Sequence, residues 1–127
     1  MTLLTFNTMK DKLLNFEKQQ TIRYNANFWV ERLKTNPKLD IWWLNPRNKH
    51  PDCRQLGIAK GTIYDVVKGT DITNELAVAD GFLNFNAFVI WFFENNPTIR
   101  SLEKFYDHEF AVIRWEWLET YWICESV

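Results

Sequence analysis

Hydrophobic residues recur at helical spacing along most of this chain. Phe6, Met9, Leu13 and Phe16 follow that spacing and predict a helix over about residues 8–19. The same spacing predicts further helices near residues 28–33, 71–81, 82–93, 99–106 and 109–124. Alternating runs are scarce, and only four Gly and four Pro interrupt the pattern. We therefore expect a mainly α-helical, compact bundle in which residues 1–127 form a single domain.

Two segments admit a second interpretation. Residues 39–44, LDIWWL, are short, apolar and aromatic, and could form a strand or an extended segment that Asn45-Pro46 closes. Residues 82–93 are apolar almost all round, which is typical of a buried central helix. A pair of buried strands would give the same run, because periodicity alone does not separate the two.

The segment Lys49–Gly69, KHPDCRQLGIAKGTIYDVVKG, has the order helix, glycine turn, helix. Cys53 is small and lies four residues before Gly57, which can take a positive φ and turn the chain sharply. Ile63 and Val66 would then form the buried face of the second helix, and Gly69 would end it. This spacing predicts a helix-turn-helix, although an ordinary helical corner would also fit it.

The part LGIAKGTIYDVVKG resembles the turn and recognition helix of phage and mobile-element helix-turn-helix regulators. The resemblance implies a small non-enzymatic DNA-binding regulator whose second helix enters the major groove. The DNA contacts expected from it and from the neighbouring basic residues are Lys49, Arg54, Lys60, Thr62, Tyr64 and Lys68.

Charge divides the chain into two unlike halves. Residues 1–68 hold 12 Lys/Arg against 6 Asp/Glu, whereas residues 69–127 hold 3 Lys/Arg against 10 Asp/Glu, so that the net charge is −1. A basic half suits an anionic partner such as DNA, and an acidic half suits packing, homodimerisation or a basic protein partner. Mutual neutralisation of the halves across a core would produce the same asymmetry.

The aromatic cluster near the C-terminus supports an alternative function. On a helix, Trp115 and Trp122 point away from Trp117 and Tyr121, so the helix is either sandwiched or exposed on one side. Exposed aromatic residues beside carboxylates suit a protein-binding surface. The alternative is an acidic inhibitor, either a toxin-immunity protein or a phage-encoded inhibitor of a host defence system. Its contact residues would be Trp115, Glu116, Glu119 and Trp122.

The remaining motifs are predicted to carry no chemistry. His50 and Cys53, with His108 and Cys124, could be assembled into a zinc site, but core cysteines explain them better and we expect no metal or other cofactor. No nucleophile motif or phosphate-binding glycine loop is present, so we predict no enzymatic activity. Neither a secretory leader nor a membrane-spanning run is evident, which favours a cytoplasmic protein with free thiols over one with a disulfide.

Overall fold

The fold is a five-stranded sheet with helices on both faces, and the computed structural model describes residues 1–99 and 101–121. The strands are β1 (Thr2–Phe6), β2 (Gln20–Arg23), β3 (Lys38–Trp43), β4 (Arg54–Lys68) and β5 (Glu109–Thr120). The helices are α1 (Lys10–Leu14), α2 (Ala26–Thr35), α3 (Asn74–Asp80), α4 (Phe85–Asn95) and α5 (Leu102–Asp107). Short 3₁₀ turns occupy Pro46–Asn48 and Gly69–Asp71.

The strand order in the sheet is β1-β3-β4-β5-β2. β1 runs parallel to β3, and all other neighbours are antiparallel. The sheet is curled, so that its two edge strands approach each other, and Arg23 of β2 donates from Nη2 to the Thr5 carbonyl oxygen of β1 at 2.6 Å. The edge strands β1 and β2 therefore meet along a seam.

The expected helical bundle is wrong, and β4 is the main reason. Residues 54–68 form one long strand instead of a helix-turn-helix. The β-branched and aromatic residues Ile58, Thr62, Ile63 and Tyr64 suit a pleated surface. Gly57 does not form a turn between helices. It allows the backbones of β4 and β5 to approach closely, because a Cβ at this position would collide with the Glu119 carbonyl oxygen of β5.

The predicted helix over residues 109–124 is also wrong for its described part, which is β5. β5 lies between β4 and β2, and Phe110, Ala111, Val112 and Ile113 are completely buried because both faces of the strand are covered. Such a strand shows no simple alternation, so its pattern resembles that of a buried helix. Near the N-terminus, the helix expected over 8–19 is reduced to α1, and β1 and β2 lie on either side of it.

Other predicted elements are present. α2, α3, α4 and α5 overlap the helices expected near residues 28–33, 71–81, 82–93 and 99–106, and β3 overlaps the expected extended segment. Gly81, at φ 109°, follows α3 in the left-handed conformation expected of a helix end. α4 is only partly buried, however, because Phe88 and Phe92 face the core whereas Ile90 is 60% exposed.

Two hydrophobic clusters lie on the two faces of the sheet. Ala111, Ile113 and Trp115 of β5 pack with α1, α2, β1 and β3 on one face. Phe110 and Val112 pack with β2, α3, α4 and α5 on the other. The alternating side chains of one strand therefore supply both clusters.

Candidate ligand-binding pocket

A cavity of about 510 Å³ opens at the seam between β1 and β2. Its lining comes from the end of β1, from β2, from the loop after β3, and from the C-terminal ends of α3 and α4. Because β1 and β3 are parallel, their carboxyl ends lie at the same edge of the sheet, and the residues that follow both strands reach the cavity. The volume lies within the range of about 300–1,000 Å³ usual for small-molecule sites.

The floor of the cavity contains a buried ion pair. The Lys18 ammonium lies 3.3 Å from Oδ2 of Asp80 and also donates to the Asp80 backbone carbonyl oxygen. The Gln20 side-chain amide donates to Oδ1 of the same carboxylate at 3.4 Å and to the Leu76 carbonyl oxygen at 3.1 Å. Both charges are thus held by hydrogen bonds at the point where β2 meets the end of α3.

Burial shifts the pKa values of this pair towards neutral forms. It lowers the pKa of Lys18 below its ordinary 10.5, although the attraction of Asp80 opposes that shift. It raises the pKa of Asp80, against the opposing effect of Lys18 and the Gln20 hydrogen bond. Perturbed titratable groups in a cavity are a physical sign of a functional site.

Arg23 is a second cation beside the floor. Its Nε donates to the Thr21 hydroxyl oxygen at 3.0 Å, and its guanidinium lies 4.8 Å from the centre of the Phe6 ring. Burial lowers the pKa of Arg23 to about 10, so it is charged at neutral pH. Among the described residues, no carboxylate lies within ion-pair distance of Arg23. The nearby carboxylate of Asp80 is paired with Lys18 instead.

Aromatic and amide side chains form the walls and mouth. The aromatic residues are Phe6, Tyr24, Phe82, Trp91 and Phe92. The amide residues are Asn7, Asn45, Asn48, Asn95 and Asn96. The side-chain amide of Asn7 donates to Oδ1 of Asn95 at 3.1 Å and so links the end of β1 to the end of α4. The cavity therefore combines flat apolar surfaces with hydrogen-bonding groups.

Two lining residues have a backbone conformation that is uncommon for their type. Met9 has φ 61° and Leu44 has φ 62°, both in the left-handed region. The Leu44 backbone N–H donates to the Phe6 carbonyl oxygen at 2.8 Å, which anchors the loop after β3 beside the end of β1. Such conformations cluster at functional sites because the surrounding structure must hold them in place.

The residues predicted to contact DNA lie outside this cavity. Lys60, Thr62 and Tyr64 occupy an exposed face of β4, where the Arg114 guanidinium lies 3.5 Å from the centre of the Tyr64 ring. Lys49 lies in the exposed loop after β3, Arg54 begins β4 and Lys68 ends it. The three residues on the face are brought together by a strand and not by a recognition helix.

The residues of the predicted protein-binding surface are also distributed differently. Trp115 is buried, at 3% exposure, so it offers no surface to a partner. Glu116 and Glu119 are exposed on β5, opposite Lys60 and Ile58 of β4 respectively. Trp122 lies outside the described residues. On a helix, Trp115 and Trp117 would point in different directions. On the strand β5, alternate residues share a face, so the two rings lie side by side.

The four residues that could have been assembled into a zinc site form no metal-binding group within the described residues. His108 stacks on Tyr24, with ring centres 3.8 Å apart, and its Nε2 is 2.6 Å from the Tyr24 carbonyl oxygen. Cys53 is a free, half-buried thiol, and Cys124 lies outside the described part of the chain. No group of three His, Cys, Asp or Glu side chains that could hold a metal occurs in residues 1–99 and 101–121.

In the described residues, no single helix has the length and apolar composition needed to cross a membrane. α3 and α4 satisfy that test only when taken together, and they are bent by 64° relative to each other.

Sequence reasoning missed the cavity entirely. Its polar lining residues Lys18, Thr21 and Arg23 match none of the catalytic or phosphate-binding motifs. The available signal was weaker: Asn7 precedes the helix expected over 8–19, Asn45 follows the segment 39–44, and Asn95 follows the run 82–93. The fold places these three amides around one cavity.

Comparison with known proteins supports the fold and no more. No family model matches the chain, and no curated protein matches it. Among solved structures, it is similar to protein EF3133 from Enterococcus faecalis V583, described as DUF984, with a TM-score of 0.62. The two share 14% identity, and the match covers 98% of this chain and 84% of that one. The likeness agrees with a mixed α/β fold and contradicts a helical bundle.

Proposed function

We propose that the seam cavity binds a small, planar, polar molecule of the nucleobase or nucleoside type. The observation that carries this proposal is the combination in one cavity of aromatic walls, the buried Lys18–Asp80 pair of the floor, and the cation Arg23 beside it. Ligand sites are usually mostly apolar, with a few converging polar groups that fix the orientation of the ligand.

The aromatic side chains supply surfaces for stacking. Tyr24, Phe82 and Trp91 are half-buried rings on the walls of the cavity, and Phe82 packs against Trp91 with ring centres 5.5 Å apart. Stacking of a base on an aromatic side chain contributes about 1–3 kcal/mol and tolerates any flat heterocycle. A flexible aliphatic ligand would gain less from these walls.

The amides supply donors and acceptors suited to the edge of a heterocycle. Asn96 donates its side-chain N–H to the Phe92 carbonyl oxygen, and Asn45 accepts from the Arg47 backbone N–H. Oδ1 of Asn96 and Nδ2 of Asn45 make no hydrogen bond within the described residues, so they are available to a ligand. A base edge presents such alternating donors and acceptors.

The charges favour a ligand edge that is rich in carbonyl oxygen or is anionic. Asp80 is balanced by Lys18, whereas Arg23 uses only part of its five-donor group on Thr21 and Thr5. A guanidinium that is partly removed from water has lost hydrogen bonds to solvent, and a polar acceptor on a ligand would replace them. We therefore expect the carbonyl edge of the ligand to lie towards Arg23.

Calorimetry with a panel of nucleobases and nucleosides tests this proposal, and quenching of Trp91 fluorescence is a second readout. Arg23→Met should weaken binding at least tenfold, because hydrogen bonds to charged groups contribute about 1.5–3 kcal/mol and about 1.4 kcal/mol is a factor of ten. The matched control is Arg32→Met, since Arg32 lies over Phe28 on an exposed part of α2. The proposal fails if no compound binds, or if both variants bind as the unmodified protein does.

A second candidate function is acid–base catalysis in the same cavity. Lys18, whose pKa is lowered by burial, and the Thr21 hydroxyl both line it, and a lysine amine of lowered pKa is a recognised type of general base. Mass spectrometry of the panel compounds after incubation with the protein, and with Thr21→Val, would detect turnover. The expectation of no enzymatic activity stays a prediction that this experiment decides.

DNA binding and inhibition of a basic protein partner also stay predictions. With residues 54–68 in a strand, DNA binding would have to use the exposed face of Lys60, Thr62 and Tyr64. Retention on random duplex DNA, compared with the triple alanine variant of these residues, tests it.

A further inference from the structure

The loop between β3 and β4 is held in one shape at the mouth of the cavity. The Asn45 side chain accepts from the Arg47 backbone N–H at 2.9 Å, and the His50 carbonyl oxygen accepts from the Cys53 N–H at 3.1 Å. Asn45, Asn48 and His50 of this loop line the cavity. The loop therefore carries polar groups to a position beyond the aromatic walls.

The hydrogen bonding of His50 assigns its tautomer. The Asp52 backbone N–H donates to Nδ1 of His50 at 3.0 Å, so Nδ1 has no proton in the neutral ring and Nε2 carries it. Nε2 makes no hydrogen bond within the described residues, and the side chain is 50% exposed. His50 thus presents one N–H donor at the mouth.

We infer that His50 is a specificity-determining residue that binds an anionic substituent, such as the phosphate of a nucleotide, at the mouth of the cavity. This inference rests on the proposed function, because the base of the same ligand would occupy the aromatic walls. It identifies the ligand class more closely, as a nucleoside monophosphate in preference to a nucleoside.

The charges around the mouth support an anion. Asp80 is the single carboxylate among the residues that line the cavity, and it is paired with Lys18. The exposed cations Arg47 and Lys49 belong to the same loop as His50. The Asp52 carboxylate approaches the ring at Nδ1, 3.9 Å away, and makes no hydrogen bond to Nε2 within the described residues.

The first test compares the affinities of a nucleoside and its 5′-monophosphate by calorimetry. The unmodified protein should bind the monophosphate about tenfold more tightly, as expected for one hydrogen bond to a charged group. His50→Ala should abolish that preference without changing nucleoside affinity, and His50→Gln, which retains an N–H donor, should keep part of it. Lys34→Ala, on exposed α2, is the control.

The second test uses inorganic phosphate alone and does not need the base to bind. The chain has two histidines, so their ring signals in NMR are readily separated. Phosphate should shift the His50 signals in a saturable way and leave those of His108 unchanged, because Nε2 of His108 already contacts the Tyr24 carbonyl oxygen.

The outcomes separate the inference from the proposed function. Equal affinity for nucleoside and monophosphate, or a preference that survives in His50→Ala, overturns the inference and leaves the proposed function standing. Failure of every nucleoside and nucleotide to bind overturns the proposed function. If phosphate also leaves the His50 signals unchanged, the anion site is overturned as well.

Discussion

The aromatic core and the pocket floor are both buried, yet they have opposite chemistry. The aromatic core, Phe88, Phe92, Phe105 and Phe110, is held by ring contacts such as 5.3 Å between the centres of Phe105 and Phe110. The pocket floor, Lys18 and Asp80, adjoins it through Phe92, which lines the cavity. Burial of phenylalanine stabilises the fold, whereas burial of these charges costs desolvation energy. The difference separates residues whose burial stabilises the fold from residues whose burial costs free energy.

The largest effect is expected in the aromatic core. Phe105→Ala should lower the free energy of unfolding by about 3–5 kcal/mol, because it removes a completely buried ring and leaves a cavity. Urea denaturation followed by circular dichroism measures this loss. Phe105→Leu is the control and should lose distinctly less. A loss below about 1 kcal/mol in Phe105→Ala would mean that the core collapses around the gap.

Lys18→Met should be nearly as destabilising, for a different reason. It leaves the Asp80 carboxylate buried without its cation, which typically costs about 3–5 kcal/mol. Urea denaturation again gives the value. Lys12→Met is a matched control, since Lys12 makes only a 3.4 Å contact to the Gly81 carbonyl oxygen at the surface. Equal stability of the two variants would show that the floor is hydrated.

The double variant Lys18→Met, Asp80→Leu replaces the buried ion pair of the floor by two apolar side chains. Replacing a buried ion pair by apolar residues is often neutral or stabilising by about 1–4 kcal/mol, so most of the loss in Lys18→Met should be recovered. Ligand binding should disappear, because the polar floor is gone. A double variant as unstable as the single one would show that the pair is needed for folding.

The smallest expected effect is a pH dependence that the aromatic core lacks. Burial lowers the pKa of Lys18 in the folded protein, so between that value and 10.5 the unfolded chain binds more protons. The free energy of unfolding should therefore gain a rising contribution as pH increases through this window. Unfolding curves at about pH 8 and about pH 10 should show a steeper rise in the unmodified protein than in Lys18→Met. An equal rise in the free energy of unfolding with pH in the unmodified protein and in Lys18→Met would contradict the lowered pKa of Lys18.

The sequence predicted those helices whose caps and periodicity are local. α3 ends at Asp80 and is capped by Gly81, where the helix expected over 71–81 should end, and α2 covers the helix expected near residues 28–33. It failed for β4 and β5, whose apolar residues also satisfy helical spacing. Strand pairing overrode that spacing, because β5 finds partners on both sides and buries both of its faces.

The sequence by itself determined the four helices α2 to α5 and the division of charge, because these depend on residue type and near neighbours. Only the tertiary structure decided the pocket. Its residues come from five separate segments, and curling of the sheet brings β1 and β2 together so that Arg23 reaches Thr5. The burial that shifts the pKa values of Lys18 and Asp80 arises in the same way, since desolvation requires α3 and β2 to pack together.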